Sequence, residues 1–264
     1  MQPSLNIAIR AARSAGDFIV RKMNKLPDLQ IEIKSKNDFV TEVDRQAEAR
    51  AIETLLKAYP NHSILAEESG EITGTEDYRW IIDPLDGTTN FLHGFPHFAV
   101  SIACQMNGRL EHGVIYDPLK QELFTASRGD GATLNNRRIR VTNIKTTQGA
   151  LLGTGFPFKN HNELEAFLKL FNEFFTSASD IRRAGSAALD LAYVAAGRLD
   201  GYWESGLKSW DIAAGALIVR EAGGIVGDYV GGEKHLENGQ VIAGNPKIYG
   251  DMLRKILLHT QNQS

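Results

Sequence analysis

The stretch from Trp80 to Asn90 constrains this chain more than any other segment. Its first three residues, Trp80 to Ile82, are apolar and have the pattern of a buried strand. Two aspartates follow, Asp83 and Asp86, and the proline after the first of them favours extended backbone at the residue before it. The sequence therefore predicts that the strand ends at Asp83 and that the chain then turns to bring the two carboxylates together.

The same stretch predicts a site for a cation and an anion side by side. Two carboxylates held this close repel each other unless they are protonated or bridged by a cation. Gly87 permits a tight turn, and Thr88, Thr89 and Asn90 then offer hydroxyl and N–H groups at a predicted helix start, where phosphate is favoured. This combination is typical of a metal-assisted phosphate site. The alternative is a structural Asp-Pro turn before a threonine-capped helix.

Composition excludes several classes of protein. The chain has 264 residues, of which 42% are hydrophobic and 23% charged, which is ordinary for a globular protein with one large domain or two packed subdomains. A net charge of −3 argues against bulk attraction to nucleic acid or an anionic membrane. Arg10 and Arg13 interrupt the apolar residues of the N-terminus, as no signal peptide would. With a single cysteine, Cys104, and no long apolar run, we expect a cytoplasmic enzyme.

Hydrophobic periodicity predicts two helices packed on an antiparallel sheet in the first half. Apolar residues recur at helical spacing from Leu5 to Met23, and a second helix with an alanine-rich inner face follows the polar loop from Lys34 to Asp44. Asn107-Gly108 is a strong hairpin signal. The predicted strands are Ser63 to Ala66, Phe98 to Met106, Leu110 to Tyr116 and Glu122 to Ser127.

The second half alternates between strand-like and helix-like segments, which favours a mixed or parallel sheet with flanking helices. The predicted strands cover residues 150–154, 180–183, 199–204, 225–228 and 240–243, and the predicted helices cover residues 163–175, 186–196, 211–222 and 246–258. The change of pattern near residues 140–150 predicts a boundary between two packed subdomains, about residues 1–145 and 146–264.

Carboxylates in three other segments are candidates for the same site. Glu67 and Glu68 follow a predicted strand, where a surface acidic turn is the alternative. Asp44 lies at the start of the second predicted helix, together with Asp38 and Thr41, where helix capping is an equally good explanation.

A third aspartate opens a helix in the second half. Asp211 is followed by the small residues Ala213, Ala214 and Gly215, which would allow close approach to that helix end, although Asp211 could also be a simple N-cap. Gly185 to Ala187 forms another helix start, with backbone donors that could hold a polar ligand or could belong to an ordinary helix N-terminus.

Two segments resemble the signatures of the inositol monophosphatase family. The first runs from Trp80 to Phe91 and the second from Trp210 to Gly224, while Glu67 precedes Asp83 by sixteen residues, as the family's metal-binding glutamate does. The likeness covers nearly the whole chain. The similarity is greatest to the bacterial extragenic-suppressor subgroup. The segment from Arg182 to Asp190 also resembles that subgroup.

The resemblance implies an α/β (α+β) fold, with the layered αβαβα architecture of a sugar phosphatase in a single catalytic unit. It also implies two to three Mg²⁺ ions. Glu67, Asp83 and the Leu85 carbonyl would hold one ion, Asp83, Asp86 and Asp211 would hold a second, and a weaker third ion would lie near Glu67.

The resemblance assigns the remaining roles as well. Thr88, oriented by Asp44, and Glu67 would act on the attacking water. The implied phosphate and substrate contacts are Asp86, Gly87, Thr88, Gly185, Ser186, Ala187, Glu204 and Asp211, with Lys34 as an added positive charge.

These roles predict a Mg²⁺-dependent phosphomonoesterase acting on myo-inositol monophosphate or a similar polyol phosphate. Fructose bisphosphate and nucleotide 3′-phosphates are the competing substrates, and lithium inhibition is a family expectation. The alternative function is a protein-binding Nus factor in transcription of ribosomal RNA, associated with RNA polymerase and able to coexist with the phosphatase. Arg182 and Arg183 are candidates for an interface with that partner or within a homodimer, or else form an ordinary basic strand edge.

Overall fold

The computed structural model describes residues 2–23, 31–35, 38–158 and 161–260. The helices are α1 (Pro3–Met23), α2 (Glu42–Ala58), α3 (Thr88–Leu92), α4 (Leu164–Phe175), α5 (Ala187–Ala195), α6 (Ser209–Glu221), α7 (His235–Asn238) and α8 (Pro246–Thr260).

The first ten strands lie in the first half of the chain. They are β1 (Ile31–Ser35), β2 (Asp38–Thr41), β3 (Ser63–Ala66), β4 (Gly70–Ile72), β5 (Tyr78–Asp86), β6 (Ala99–Met106), β7 (Arg109–Asp117), β8 (Glu122–Ser127), β9 (Gly131–Leu134) and β10 (Arg137–Arg138). The remaining strands are β11 (Leu151–Thr154), β12 (Asp180–Arg182), β13 (Gly201–Glu204), β14 (Ile225–Gly227) and β15 (Val241–Gly244).

The two larger sheets alternate with three layers of helices. An eight-stranded sheet has the order β10-β9-β8-β7-β6-β5-β3-β4, and a five-stranded sheet has the order β12-β11-β13-β15-β14. Helices α1 and α2 cover the outer face of the larger sheet, α5 and α6 fill the space between the sheets, and α4 and α8 cover the outer face of the smaller sheet. The predicted layered αβαβα fold is confirmed.

The prediction of an antiparallel sheet in the first half is wrong at one pair of strands. Strand β3 pairs with β5 in parallel, with Leu65 opposite Ile81. The reason is that β4 folds back on one side of β3 and the chain then crosses to its other side, so β5 runs in the direction of β3. The polar loop predicted before α2 contains the antiparallel pair β1 and β2. The second sheet is mixed, as predicted.

The predicted strand end at Asp83 is also wrong, and the difference shapes the site. Strand β5 continues to Asp86, which pairs with Ala99, and the register shifts between the two aspartates. Pro84 has no N–H to donate to the ladder, while the N–H of Leu85 donates to Asp83 Oδ1 at 2.9 Å. The two aspartates are therefore brought together by a bulge within a strand and not by a turn after it.

The central helix layer packs against strands from both halves of the chain. Buried Ile81 of the larger sheet and Ala243 of the smaller sheet belong to the same cluster as Leu191 of α5 and Ile218 of α6. The single catalytic unit and its division near residue 145 stay predictions. Within the described part of the chain, no helix is both long and apolar enough to cross a membrane.

Close approach at the small residues of α6 serves packing between helices. A Cβ atom at Gly215 would lie 2.5 Å from Leu191 Cβ. Overpacking in Gly215→Ala should therefore lower the free energy of unfolding by about 1–3 kcal/mol. The higher helix propensity of alanine should offset about 1 kcal/mol of this loss. Gly250 of α8 has open space at its Cβ position, so Gly250→Ala is the matched control and should be neutral or stabilising. Chemical denaturation measures both changes, and equal effects would contradict this account of the packing.

Candidate active site

Three aspartates from two distant segments meet at the end of strand β5 in the larger sheet. Carboxylate oxygens of Asp83, Asp86 and Asp211 all lie within 4.8 Å of one another. The first two come from the bulge in β5, and the third comes from the first turn of α6. Asp211 is not the N-cap, because Lys208 occupies that position and its N–H donates to Asp211 Oδ2 at 2.6 Å. One oxygen of Asp211 thus accepts a hydrogen bond at the start of α6, which holds its carboxylate near those of Asp83 and Asp86.

Glu67 lies beside this cluster because β3 and β5 are parallel. Ala66 pairs with Ile82, and the N–H of Glu67 then donates to the Ile82 carbonyl at 3.2 Å. Glu67 and Asp83 therefore leave neighbouring strands at the same level. Both line one cavity of about 630 Å³. All four carboxylates therefore line one cavity, and their role as one site stays a prediction.

Burial and mutual repulsion raise the pKa values of the central aspartates. Burial raises the pKa of Asp83 well above its usual range, and the charges of Glu67, Asp86 and Asp211 raise it further. Burial also raises the pKa of Asp86 to about 7, with Asp211 as the next cause. Such carboxylates need either protons or cations to be stable together. The donor set fits Mg²⁺, because it offers several negatively charged oxygens at one point.

The N-terminus of α5 is occupied by Asp86. Ser186 is the N-cap of this helix, and its hydroxyl donates to Asp86 Oδ2 at 2.6 Å, while the N–H of Ala188 donates to the same oxygen at 2.7 Å. Of the backbone donors predicted at Gly185 to Ala187, the N–H of Ala187 is not free, because it also hydrogen-bonds to Asp86. Gly185, Ser186 and Ala187 do line the cavity, as expected of substrate contacts. The helix end also stabilises the negative charge of Asp86.

Thr88 and Asp44 are in contact, as the resemblance implies. The hydroxyl of Thr88 lies 3.1 Å from Asp44 Oδ1 and 3.1 Å from the Leu85 carbonyl oxygen. Asp44 Oδ2 accepts from the N–H of Thr41 at 2.8 Å and from its hydroxyl at 2.6 Å, in a capping box at the start of α2. Burial raises the pKa of Asp44, although these hydrogen bonds oppose the shift. Asp44 therefore both caps the start of α2 and contacts the hydroxyl of Thr88.

A left-handed glycine shapes the turn between β5 and α3. Gly87 has a φ of 102°, and a Cβ atom there would lie 3.0 Å from the His97 carbonyl oxygen. Asn90 Nδ2 donates to that same carbonyl at 2.7 Å and to the Ala184 carbonyl at 2.9 Å. The turn is thereby attached to the segment that precedes α5 in the second half.

Glu204 belongs to an acidic pair at the far side of the cavity. Its Oε2 accepts from the Tyr202 hydroxyl at 2.5 Å, and burial raises its pKa to about 7. A Cβ at Gly155 would overlap Glu204 Oε1, so glycine leaves room for this carboxylate. The sequence patterns did not identify Asp190, whose pKa is raised well above the usual range by burial and then by the charge of Glu204. The available signal was an aspartate inside the apolar run of α5.

The two arginines predicted as an interface have different surroundings. Arg182 lies in the edge strand β12 and pairs with Asp180 at 2.5 Å. Arg183 lines the cavity, and its guanidinium lies 5.4 Å from the Phe156 ring centroid and 5.2 Å from that of Phe158. Arg183 is therefore part of the cavity mouth, and Arg182 alone belongs to the outer edge. The side chains of Lys34 and Asp38 fall outside the described part of the structure, so their predicted roles stay predictions.

Comparison with known proteins decides the family. The model of the inositol monophosphatase family matches residues 1–262. This chain belongs to the inositol monophosphatase family. It is 56% identical over 264 residues to the Nus factor SuhB of Pseudomonas aeruginosa, covering 98% of this chain and 97% of that protein.

Solved structures show the same fold. The extragenic suppressor protein SuhB of Bartonella henselae superposes with a TM-score of 0.94 at 45% identity, covering 97% of this chain and 98% of that one. The inositol monophosphatase of Anabaena superposes with a TM-score of 0.85 at 39% identity, covering 96% of this chain and 95% of that one. The resemblance inferred from the two signature segments is therefore confirmed, and with it the membership of a phosphatase family.

Proposed function

We propose that this protein is a Mg²⁺-dependent phosphomonoesterase that hydrolyses myo-inositol monophosphate or a similar polyol phosphate. The observation that carries this proposal is the convergence of Asp83, Asp86 and Asp211 beside Glu67 in one cavity. Carboxylates held this close are stable only when they are protonated or bridged by a cation, and the same cavity offers hydroxyl and amide donors for an anion. Family membership supports a phosphate ester as substrate.

The proposed metal ligands follow from the positions of these side chains. Glu67, Asp83 and the Leu85 carbonyl would hold one Mg²⁺, and Asp83, Asp86 and Asp211 would hold a second. A third, weaker ion would lie near Glu67. When bound, the ions would activate water and neutralise charge on the attacking and leaving oxygens.

The residues of the chain would orient the reactants around this centre. The Thr88 hydroxyl donates its proton towards Asp44 Oδ1, which leaves its lone pairs available to accept a hydrogen bond from a water molecule. A water held in this way would present a lone pair of its oxygen to phosphorus. The N–H groups of Gly87 and Thr88, at the cavity wall, would donate to phosphate oxygens.

The far side of the cavity would bind the alcohol part of the substrate. Glu204 accepts one hydrogen bond from Tyr202, and its other oxygen would accept from polyol hydroxyls. The backbone of Gly185 to Ala187 borders the same space. A substrate rich in hydroxyl groups fits this wall better than an apolar alcohol, because a buried carboxylate is costly unless it is hydrogen-bonded.

Phosphate release from myo-inositol 1-phosphate, with and without Mg²⁺, tests the proposal. We expect turnover that requires Mg²⁺, is inhibited by Li⁺, and exceeds that of fructose 1,6-bisphosphate and of a 3′-phosphonucleotide measured in parallel. Preference for one of the other two esters would change the substrate assignment. No turnover of any ester by folded, Mg²⁺-supplied protein would contradict the phosphatase assignment itself.

We propose a second role as a Nus factor, a protein that associates with RNA polymerase during transcription of ribosomal RNA. The observation that favours it is the identity of 56% to a relative named for that role. Arg182 and the edge strand β12 are the proposed contact surface, either with this complex or within a homodimer. Both roles would be carried out in the cytoplasm.

Arg182→Ala separates the two roles, because Arg182 is exposed and is not among the cavity-lining residues. We expect weaker binding to purified RNA polymerase with its Nus proteins, or a smaller dimer fraction in sedimentation, at unchanged phosphatase turnover. Asp180→Asn is the matched control, since it removes the ion-pair partner of Arg182 and leaves the cation. Unchanged binding and an unchanged oligomeric state in Arg182→Ala would contradict the proposed surface.

A further inference from the structure

Glu48 is a buried carboxylate that neither the sequence patterns nor the proposed ligand set includes. It lies on α2 four residues after Asp44, so the two side chains share one face of the helix. Asp44 is 1% exposed and Glu48 is 2% exposed. A buried carboxylate is costly unless its oxygens accept hydrogen bonds, so the partners of Glu48 identify what the residue does.

Both partners of Glu48 belong to the loop that carries Glu67. Glu48 Oε2 accepts from the N–H of Glu68 at 2.8 Å, and Oε1 accepts from the N–H of Ser69 at 2.8 Å. This loop connects β3 with β4, where Ala66 pairs with Gly70. Two consecutive amides held by the two oxygens of one carboxylate fix the orientation of the loop.

Glu67 is thereby fixed from both sides. Its own N–H donates to the Ile82 carbonyl on β5, directly before Asp83, and the next two N–H groups donate to Glu48. Beyond the loop, β4 is the edge strand of the larger sheet and is mostly exposed. Helix α2 therefore restrains the loop directly, in addition to the pairing of β4 with β3.

The loop needs restraint because the site is repulsive. Glu67 follows β3 at the level of Asp83 on the neighbouring parallel strand β5, and both residues line the same cavity. Two carboxylates placed side by side in this way repel each other, and the repulsion would push the Glu67 loop away from Asp83. Any outward movement of the loop would separate the carboxylates of Glu67 and Asp83, which would hold the same cation in the proposed site.

We propose that Glu48 is a positioning residue that holds the Glu67 loop in place and so sets the affinity of the site for Mg²⁺. Helix α2 would then control the site twice, through Asp44 at Thr88 and through Glu48 at Glu67. The inference rests on the proposed function, because it assumes that Glu67 contacts a cation. It differs from that function in concerning a residue that touches neither metal nor substrate.

Glu48→Gln tests the inference with little change in volume. The amide keeps one acceptor oxygen but directs its NH₂ group at a backbone N–H, so one of the two hydrogen bonds is lost. The Mg²⁺ concentration for half-maximal rise in Tm, read by differential scanning fluorimetry, should increase about 10- to 100-fold, as for other residues that support metal ligands. Turnover should need correspondingly more Mg²⁺, and kcat at saturating Mg²⁺ should be largely retained.

Two further variants complete the design. Glu53→Gln lies on the same helix at an exposed position and should match the unaltered protein. Glu48→Asp keeps the charge but is one methylene shorter, so it should reach fewer amides and give an intermediate shift. It also provides the measurement if Glu48→Gln does not fold.

The outcomes distinguish this inference from the proposed function. A lower metal-free Tm with an unchanged half-maximal Mg²⁺ concentration would show a purely structural role for Glu48 and would overturn the inference. If Mg²⁺ neither stabilises nor activates the unaltered protein, the proposed function is wrong, and the inference falls with it. A half-maximal Mg²⁺ concentration that rises in the Glu48 variants but not in Glu53→Gln supports both the inference and the proposed function.

Discussion

Replacing Asp83 by asparagine should have opposite effects on activity and on metal-free stability. Activity should fall at least about a thousandfold, because several kcal/mol of charge stabilisation in the transition state are lost with the metal. Without metal, the variant should unfold at a higher temperature than the unaltered protein. Asparagine removes a buried charge that Glu67, Asp86 and Asp211 repel, and its Oδ1 can still accept from the N–H of Leu85.

The pH dependence of this difference follows from the direction of the pKa shift. The pKa of Asp83 is higher in the folded protein than its ordinary value of 3.8, so the folded state binds the proton more tightly than the unfolded state. The carboxylate therefore costs stability increasingly as the pH rises above about 4. The advantage of Asp83→Asn in EDTA should be large at pH 8 and should disappear near pH 4.

Thermal unfolding in EDTA and in Mg²⁺ measures both parts of this prediction. Each kcal/mol gained should raise Tm by about 2–4 °C in a chain of this size. Adding Mg²⁺ should stabilise the unaltered protein and leave Asp83→Asn unchanged, so the order of the two Tm values should reverse. Asp77→Asn, at an exposed position directly before β5, should behave as the unaltered protein. A metal-free Tm lowered by Asp83→Asn would show that repulsion among these carboxylates does not control the stability of the metal-free protein.

The sequence predicted the strands and helices that carry the site because apolar runs and turn residues close together in the chain define their ends. The end of β3 before Glu67 and the helix start after Gly87 are both where the pattern places them. The bulge within β5 was not predictable from the proline rule alone. That rule identifies the missing donor at Pro84 but not the partner strand with which pairing resumes at Asp86.

Contacts between distant segments account for what the sequence did not predict. Ser186 donates to Asp86 across 100 residues of chain, and Glu48 accepts from Glu68 across 20. Neither pair has a periodic pattern or a fixed spacing that would indicate it. Such contacts are set by the stacking of α2, the two sheets and α5, which is a property of the folded layers.

The carboxylates of the cavity fall into two groups with different demands. Asp83, Asp86 and Asp211 repel one another at one point, which favours a cation there. Glu204 lines the far side and has Asp190 buried behind it; burial raises the pKa of both carboxyls, and the charge of Arg183 opposes that shift. The cavity therefore has one end that favours a cation and another that favours hydrogen-bond donors, in keeping with the proposed polyol phosphate substrate.

Thr88→Val should remove turnover while leaving metal binding intact. Valine has nearly the shape of threonine but cannot hydrogen-bond to Asp44 or to water, so kcat should fall about 10²- to 10⁴-fold, the usual contribution of a group that assists proton transfer. Tm should fall only slightly, because the hydrogen bond lost is worth about 1 kcal/mol. The rise in Tm on adding Mg²⁺ should match that of the unaltered protein, in contrast to Asp83→Asn.

Thr88→Ser is the matched control, because it keeps the hydroxyl 3.1 Å from Asp44 Oδ1 and removes only a methyl group. It should retain most of kcat. Equal losses in the serine and valine variants would mean that the methyl group and its packing matter, and not the hydroxyl. Full activity in Thr88→Val would mean that the attacking water is oriented without Thr88. The contact between Thr88 and Asp44 would then contribute only to the structure at the start of α2.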